Sequence, residues 1–179
     1  MRTKTRPARL LLLAAAGLAL AITVMAFLPG GLELSIAPLA GGRPLLVLPL
    51  KVGERFTLRY YHSVENAPIW EVHQADADGR LYLEEERYQK IGAGMGHIPG
   101  QGRVVRRAPY EAIVGLHRPV GRFVLVIGSP GVDHTILWRG RAFNLSARAP
   151  HRAVRFAARP VSLLHRLWRG LWPHAATPR

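Results

Sequence analysis

The 179-residue chain carries 25 Lys plus Arg against 11 Asp plus Glu, a formal net charge of +14, and no cysteine. The missing thiol excludes disulfides, thiolate metal sites and cysteine nucleophiles. Four cations precede Leu10 and nine arginines follow Asp133, whereas the stretch between holds twelve cations against eleven acids. A near-neutral middle between basic ends suits a membrane neighbourhood better than a nucleic-acid groove, so no nucleic-acid partner is expected. Only Lys4, Lys51 and Lys90 are lysines, and part of the basicity therefore reads as arginine-rich composition rather than as a ligand surface.

Residues 1–9 form a basic leader with Arg2, Lys4, Arg6 and Arg9 and no acid. Residues 10–28 follow as an apolar run softened only by Gly17 and Thr23. At 1.5 Å per residue such a helix spans about 28 Å, close to the hydrocarbon core of a bilayer. The basic flank places the leader in the cytoplasm and everything after Pro29 across the membrane. A cleaved signal peptide is the rival reading. Its apolar core is shorter and ends at a small-x-small site, which Val24-Met25-Ala26 matches poorly. An uncleaved anchor is favoured.

Residues 30–159 read as one β domain. Pro29-Gly30-Gly31 ends the helix, and strands are predicted near 32–36, 45–50, 56–61 and 69–74. Beyond the turn Asp76-Ala77-Asp78-Gly79 the pattern continues through Leu81, Leu83 and Tyr88, then at 112–116, 123–127, 135–138 and 153–157. Strands about ten residues apart without a helical period predict an all-β fold, a single antiparallel β-sandwich of immunoglobulin-like general architecture. Residues 160–179 form a basic amphipathic tail. Leu163, Leu164, Leu167, Trp168, Leu171 and Trp172 recur at helical spacing, with His165, Arg166 and Arg169 on the other side. A membrane-surface helix would bury the first set in lipid, with Arg166 and Arg169 at its rim. Partner docking and packing on the domain itself are the alternatives.

Two stretches could carry chemistry. In the first, Tyr60-Tyr61-His62-Ser63-Val64-Glu65-Asn66-Ala67-Pro68-Ile69-Trp70-Glu71, a hairpin centred on 65–68 would set His62 opposite Glu71. The carboxylate would then hold the imidazole in one tautomer, and Ser63 would cap the turn. In the second, Tyr88-Gln89-Lys90-Ile91-Gly92-Ala93-Gly94-Met95-Gly96-His97, the glycines allow close backbone approach. The stretch lacks a dinucleotide fingerprint. No nucleophile elbow is present, and adjacent His62 and Ser63 point to opposite faces of a strand, which disfavours an enzyme. His62, Glu71, His73 and His97 lack a compact metal-ligand spacing, so neither a metal nor a cofactor is expected. A structural network fixing the hairpin and a recognition surface both remain open.

The anchor followed by YHSVENAPIWE and YQKIGAGMG resembles a bacterial family classed only as a domain of unknown function, number 1850. The resemblance covers roughly residues 32–158 and rests on His62, Ser63, Val64, Pro68, Glu71, Gly92, Ala93 and Gly94. The family's glycine loop is similar to GAG followed by an apolar residue and Pro. Here Met95-Gly96 follow and the proline comes at Pro99. The tail after Pro160 lies outside the family pattern. Such proteins are often encoded beside TRAP transporters of the TAXI type, which import small organic acids with a periplasmic solute-binding protein. The resemblance thus implies an accessory protein, single-pass in the bacterial inner membrane with a periplasmic domain. It would bind a transporter membrane subunit or the solute-binding protein through His62, Ser63, Glu71, Gly92, Ala93 and Gly94. A small-ligand or metal-binding domain is the second expectation, and an envelope hydrolase using His62 and Glu71 the third.

Overall fold

The computed structural model describes residues 6–62, 64–89 and 100–171. Helix α1 (Arg6–Phe27) leads into β1 (Pro29–Pro38), β2 (Leu46–Leu50), β3 (Arg55–Tyr61), β4 (Pro68–Ala75) and β5 (Leu81–Tyr88). Then come β6 (Arg103–Arg107), β7 (Tyr110–Pro119), β8 (Phe123–Val126), β9 (Thr135–Trp138) and β10 (Arg141–Asn144). A single helical turn, α2 (Leu145–Arg148), precedes β11 (Ala153–Ser162) and α3 (Leu163–Leu171).

The strands form a four-stranded sheet ordered β2-β1-β11-β8 and a seven-stranded sheet ordered β10-β9-β3-β4-β5-β7-β6. Every pairing is antiparallel. One apolar cluster draws on both sheets: Leu34, Ile36 and Phe156 from the smaller, Phe56, Leu58 and Ile136 from the larger. Alternation dictates this. Phe56 and Leu58 of β3 are buried while Thr57 and Arg59 between them are not, as period-2 side chains require. Burying these faces together is the main favourable contribution to folding.

Two strands escape the sequence pattern, and a third runs further than it predicts. β6, RVVRR, is exposed along almost its whole length and has no buried alternation. β10 follows β9 across Arg139-Gly140, both with positive φ (47° and 71°), the conformation a two-residue hairpin turn needs. β11 extends to Ser162, so Val161 and Ser162 belong to the sheet rather than to the tail helix.

Helix α1 is, among the described residues, the one helix long and apolar enough to cross a membrane. Its apolar residues surround it without a polar stripe. It enters the domain at a glycine pair. A Cβ on Gly30 would lie 2.3 Å from the Ser162 carbonyl oxygen, and Gly31 has φ +95°. The chain bulges there, pairing Pro29 with Ser162 and then Leu32 with Pro160. Consequently α1 leaves one strand and α3 the neighbouring strand at the same edge of the domain, joined by the Leu163 amide donating to the Leu28 carbonyl at 2.8 Å.

Candidate functional site

The β3–β4 hairpin pairs Arg55 with Gln74 and Tyr61 with Pro68. This register sets Glu71 opposite Leu58, four residues from the expected partner His62. The turn closes earlier than the composition of 65–68 suggests. The His62 amide donates to the Ala67 carbonyl and the Asn66 amide to the His62 carbonyl, both at 2.9 Å. Asn66 supplies the left-handed residue, at φ 45°. His62 Nδ1 accepts the amides of Val64 at 3.3 Å and Glu65 at 3.2 Å, so its ring caps the turn and its neutral form carries the proton on Nε2. His62 and Glu71 are therefore not brought together, and the geometry a hydrolase would need from them is absent.

Glu71 instead joins a cluster on the inward face. Its Oε1 accepts from the Tyr60 hydroxyl at 3.0 Å, and its Oε2 lies 3.1 Å from His73 Nε2. Directly across the β4–β5 ladder stands Glu86, which accepts the Tyr88 hydroxyl at 2.5 Å and Arg118 Nη2 at 3.0 Å. Two carboxylates thus face each other, each with a tyrosine donor and a basic partner. Burial opposes charge on Glu71. The hydrogen bond and charge of His73, the Tyr60 hydroxyl and the Arg118 charge outweigh it and hold the carboxyl below its ordinary pKa. Tyr60 and Tyr88 are both pushed far above the usual tyrosine value, first by burial and then by Glu71 and Glu86 respectively. Both phenols are thereby fixed as donors.

His73 is 2% exposed, stacked between Phe56 and Phe123, each with ring centroids 5.3 Å away. Phe123 continues the stack to Phe156 at 4.5 Å, so the imidazole bridges the two sheets. Its Nδ1 has no hydrogen-bond partner. His134 borders the same cluster, its ring 5.2 Å from Tyr60. It accepts the Gly128 amide on Nδ1 at 2.9 Å, and burial keeps its pKa below the ordinary histidine value. Beside it, Asp133 binds Arg59 and Asn144 and accepts the Thr135 hydroxyl at 3.1 Å. The cluster is a connected donor–acceptor network, built to hold geometry. Among the described residues no group of three His, Asp or Glu side chains converges as a metal site.

Ser63, Gly92, Ala93 and Gly94 lie outside the described residues, as does Trp172 of the tail. Sequence reasoning selected Glu71, weighed His73 only as a metal ligand, and gave no role to Tyr60, Glu86, Tyr88, Arg118 and His134. The i, i+2 spacing of Glu71 and His73 signals a shared strand face, whereas the Glu71–Glu86 juxtaposition follows only from register.

The tail helix α3 turns its basic side toward the β domain. Glu33 of β1, 7% exposed, receives Arg159 Nη2 at 2.9 Å and His165 Nε2 at 3.0 Å, with Arg169 Nε at 3.3 Å. Arg166 Nη1 donates to the carbonyls of Gly30 at 2.6 Å and Leu50 at 3.3 Å. Burial raises the Glu33 pKa, but the cations around it prevail and lower it overall. Leu167, Trp168 and Leu171 face outward, 49%, 56% and 78% exposed, while Leu163 and Leu164 are half-buried. Arg166 and Arg169 are thus engaged with the domain, not spread as an outward rim.

No curated protein and no solved structure matches the chain. The model of one family, Domain of unknown function (DUF1850), matches residues 56–145. That segment is narrower than the motif resemblance over 32–158. It runs from β3 through β10 and holds the entire Tyr60–Glu71–Glu86–Tyr88 cluster, leaving β1, β2, β11 and both terminal helices outside. Because the match spans half of the sequence, the chain belongs to the DUF1850 family.

Proposed function

We propose that this protein is a membrane-tethered accessory subunit that works by binding another protein. In this reading α1 spans the bacterial inner membrane with its basic leader in the cytoplasm. The two sheets form a periplasmic sandwich of immunoglobulin-like general kind. The partner is the membrane subunit or the solute-binding protein of a TAXI-type TRAP transporter, a choice that comes from the family resemblance.

One observation carries the reading. α1 and α3 leave paired strands at Pro29 and Ser162, and the outward side of α3 shows Leu167, Trp168 and Leu171. A helix with its apolar side bare, rooted beside a spanning helix, supplies a second bilayer contact. The β domain is then held close to the membrane, where an embedded or membrane-docked partner is met more often than a diffusing one. The rim offered to that partner is the His62–Ala67 turn, and the Glu71–Glu86 network beneath fixes its shape.

Co-purification after mild detergent extraction tests the proposal. Retention of a transporter subunit by the wild-type chain, and its loss on replacing Val64 (80% exposed) with Asp, is the expected result. No subunit retained under conditions where established transporter complexes survive overturns it.

A further inference from the structure

A cavity of about 410 Å³ opens between β2 and β10, the edge strands of the two sheets. Its volume falls in the range of small-molecule sites. Leu46, Leu48, Trp138 and Phe143 form its apolar wall, and α3 closes one side with Arg166 and Arg169. Trp138 is held in place from outside the cavity, its Nε1 donating to Glu54 at 3.1 Å and its ring covered by Arg139 at 4.4 Å.

The charges around this cavity do not balance. Among the described residues Glu33 is the only carboxylate in its lining, and it is already engaged by Arg159, His165 and Arg169. Glu54 is taken up by Arg139 at 2.6 Å and 2.8 Å. Arg141 has no carboxylate partner among the described residues, and its guanidinium rests over the Phe143 ring at 5.0 Å. Among the described residues Arg166 bonds only to backbone carbonyls, those of Gly30 and Leu50. Arg169 is taken up by Glu33, 3.3 Å from its Nε, which leaves Arg141 and Arg166, among the described residues of the lining, as the guanidinium groups without an acid. An apolar slot edged by guanidinium groups lacking an anion is complementary to one kind of molecule, an anion with an apolar tail.

We propose that the cavity binds the carboxylate of a single-chain amphiphile drawn from the bilayer, its tail along Leu46, Leu48, Trp138 and Phe143 and its head between Arg141 and Arg166. The volume admits one chain and a small head rather than a two-chain lipid. The lining includes Leu32 and Glu33 of β1, a few residues after α1, so the cavity lies beside the root of the spanning helix, where a bilayer amphiphile is at hand. Binding is independent of the transporter partner: failure here leaves co-purification untouched, and failure there leaves this site untouched.

The test uses the full chain in phosphatidylcholine nanodiscs, photolabelled with a decanoate bearing a terminal diazirine. Labelling should saturate, map to peptides containing 46–50 or 141–144, and be displaced by decanoate but not by decanol. Arg141→Glu, an exposed position with no carboxylate to lose, should weaken it tenfold or more. Arg103→Gln, on the opposite edge strand of the larger sheet, should leave it unchanged. Arg141→Gln, which matches Glu in size but only removes the charge instead of reversing it, should weaken it less than Arg141→Glu. Label confined to α1 and the outer side of α3, equal competition by decanol, or no effect of Arg141→Glu would each overturn the proposal.

Discussion

The molecule buries carboxylates in two regions by opposite means. At the α1–α3 junction, Glu33 is surrounded by three basic side chains drawn from β11 and α3. In the family segment, Glu71 and Glu86 oppose each other and are met by phenols, an imidazole and a single arginine. At Glu33 and at Glu71 the attraction of donors and cations exceeds the desolvation penalty, which holds both of these carboxyls below their ordinary pKa. The junction, however, holds one terminal helix onto the domain. The network is woven through adjacent strands and an inter-sheet aromatic stack. Loss of the first should therefore be local, and loss of the second should be felt by the whole fold.

His73→Ala gives the largest effect expected. It removes a stacked ring between Phe56 and Phe123 and leaves Glu71 short of a donor. About 3 kcal/mol of global stability should be lost, read as a lowered denaturant midpoint for the detergent-solubilised chain. An unchanged midpoint would dissolve the contrast between the regions.

Glu33→Gln should cost about 2 kcal/mol, confined to the junction. Amide exchange across 163–171 should quicken while the global midpoint stays within error. A global loss equal to that of His73→Ala would show that α3 is part of the cooperative core.

Tyr60→Phe sharpens the comparison from the other side. It deletes the 3.0 Å bond to Glu71 without leaving a cavity and should cost about 1 kcal/mol. The cost should fall sharply in a His73→Ala background, because the two residues act on one carboxylate.

Acid should separate the regions with the smallest effect near neutrality. The folded pKa of Glu33 lies below its ordinary value of 4.5. Its stabilising contribution is therefore complete above that value and is lost as pH falls through the folded pKa. Exchange protection of α3 should be flat from neutrality down to about pH 5, then drop; in Glu33→Gln it should show no such drop.

Much of this was legible in the chain. The alternation of Phe56, Leu58 and Tyr60, the Asp76–Gly79 turn and the pattern through Leu81 and Leu83 located β3, β4 and β5, because a half-buried strand must alternate. The turn forms as its composition requires: Asp76 Oδ1 accepts the amides of Asp78 at 3.0 Å and Arg80 at 2.8 Å. β6 was not legible, since an exposed edge strand has no buried face to mark it. The site was half legible. Glu71 stood out, but its partners depended on whether the hairpin turned at 63–66 or two residues later, and such a shift replaces every cross-strand neighbour.

The sequence by itself determined the apolar helix, the β-rich domain and the amphipathic tail, because each is written in a local period of apolar residues. Which way the tail faces was decided only by tertiary structure. Helical spacing defines two sides of α3 without saying which is inward, and a buried acid on β1, many residues distant, draws the basic side in and leaves Leu167, Trp168 and Leu171 bare. The same long-range placement opens the cavity between β2 and β10, since two edge strands far apart in the chain become its walls only once the sheets have stacked.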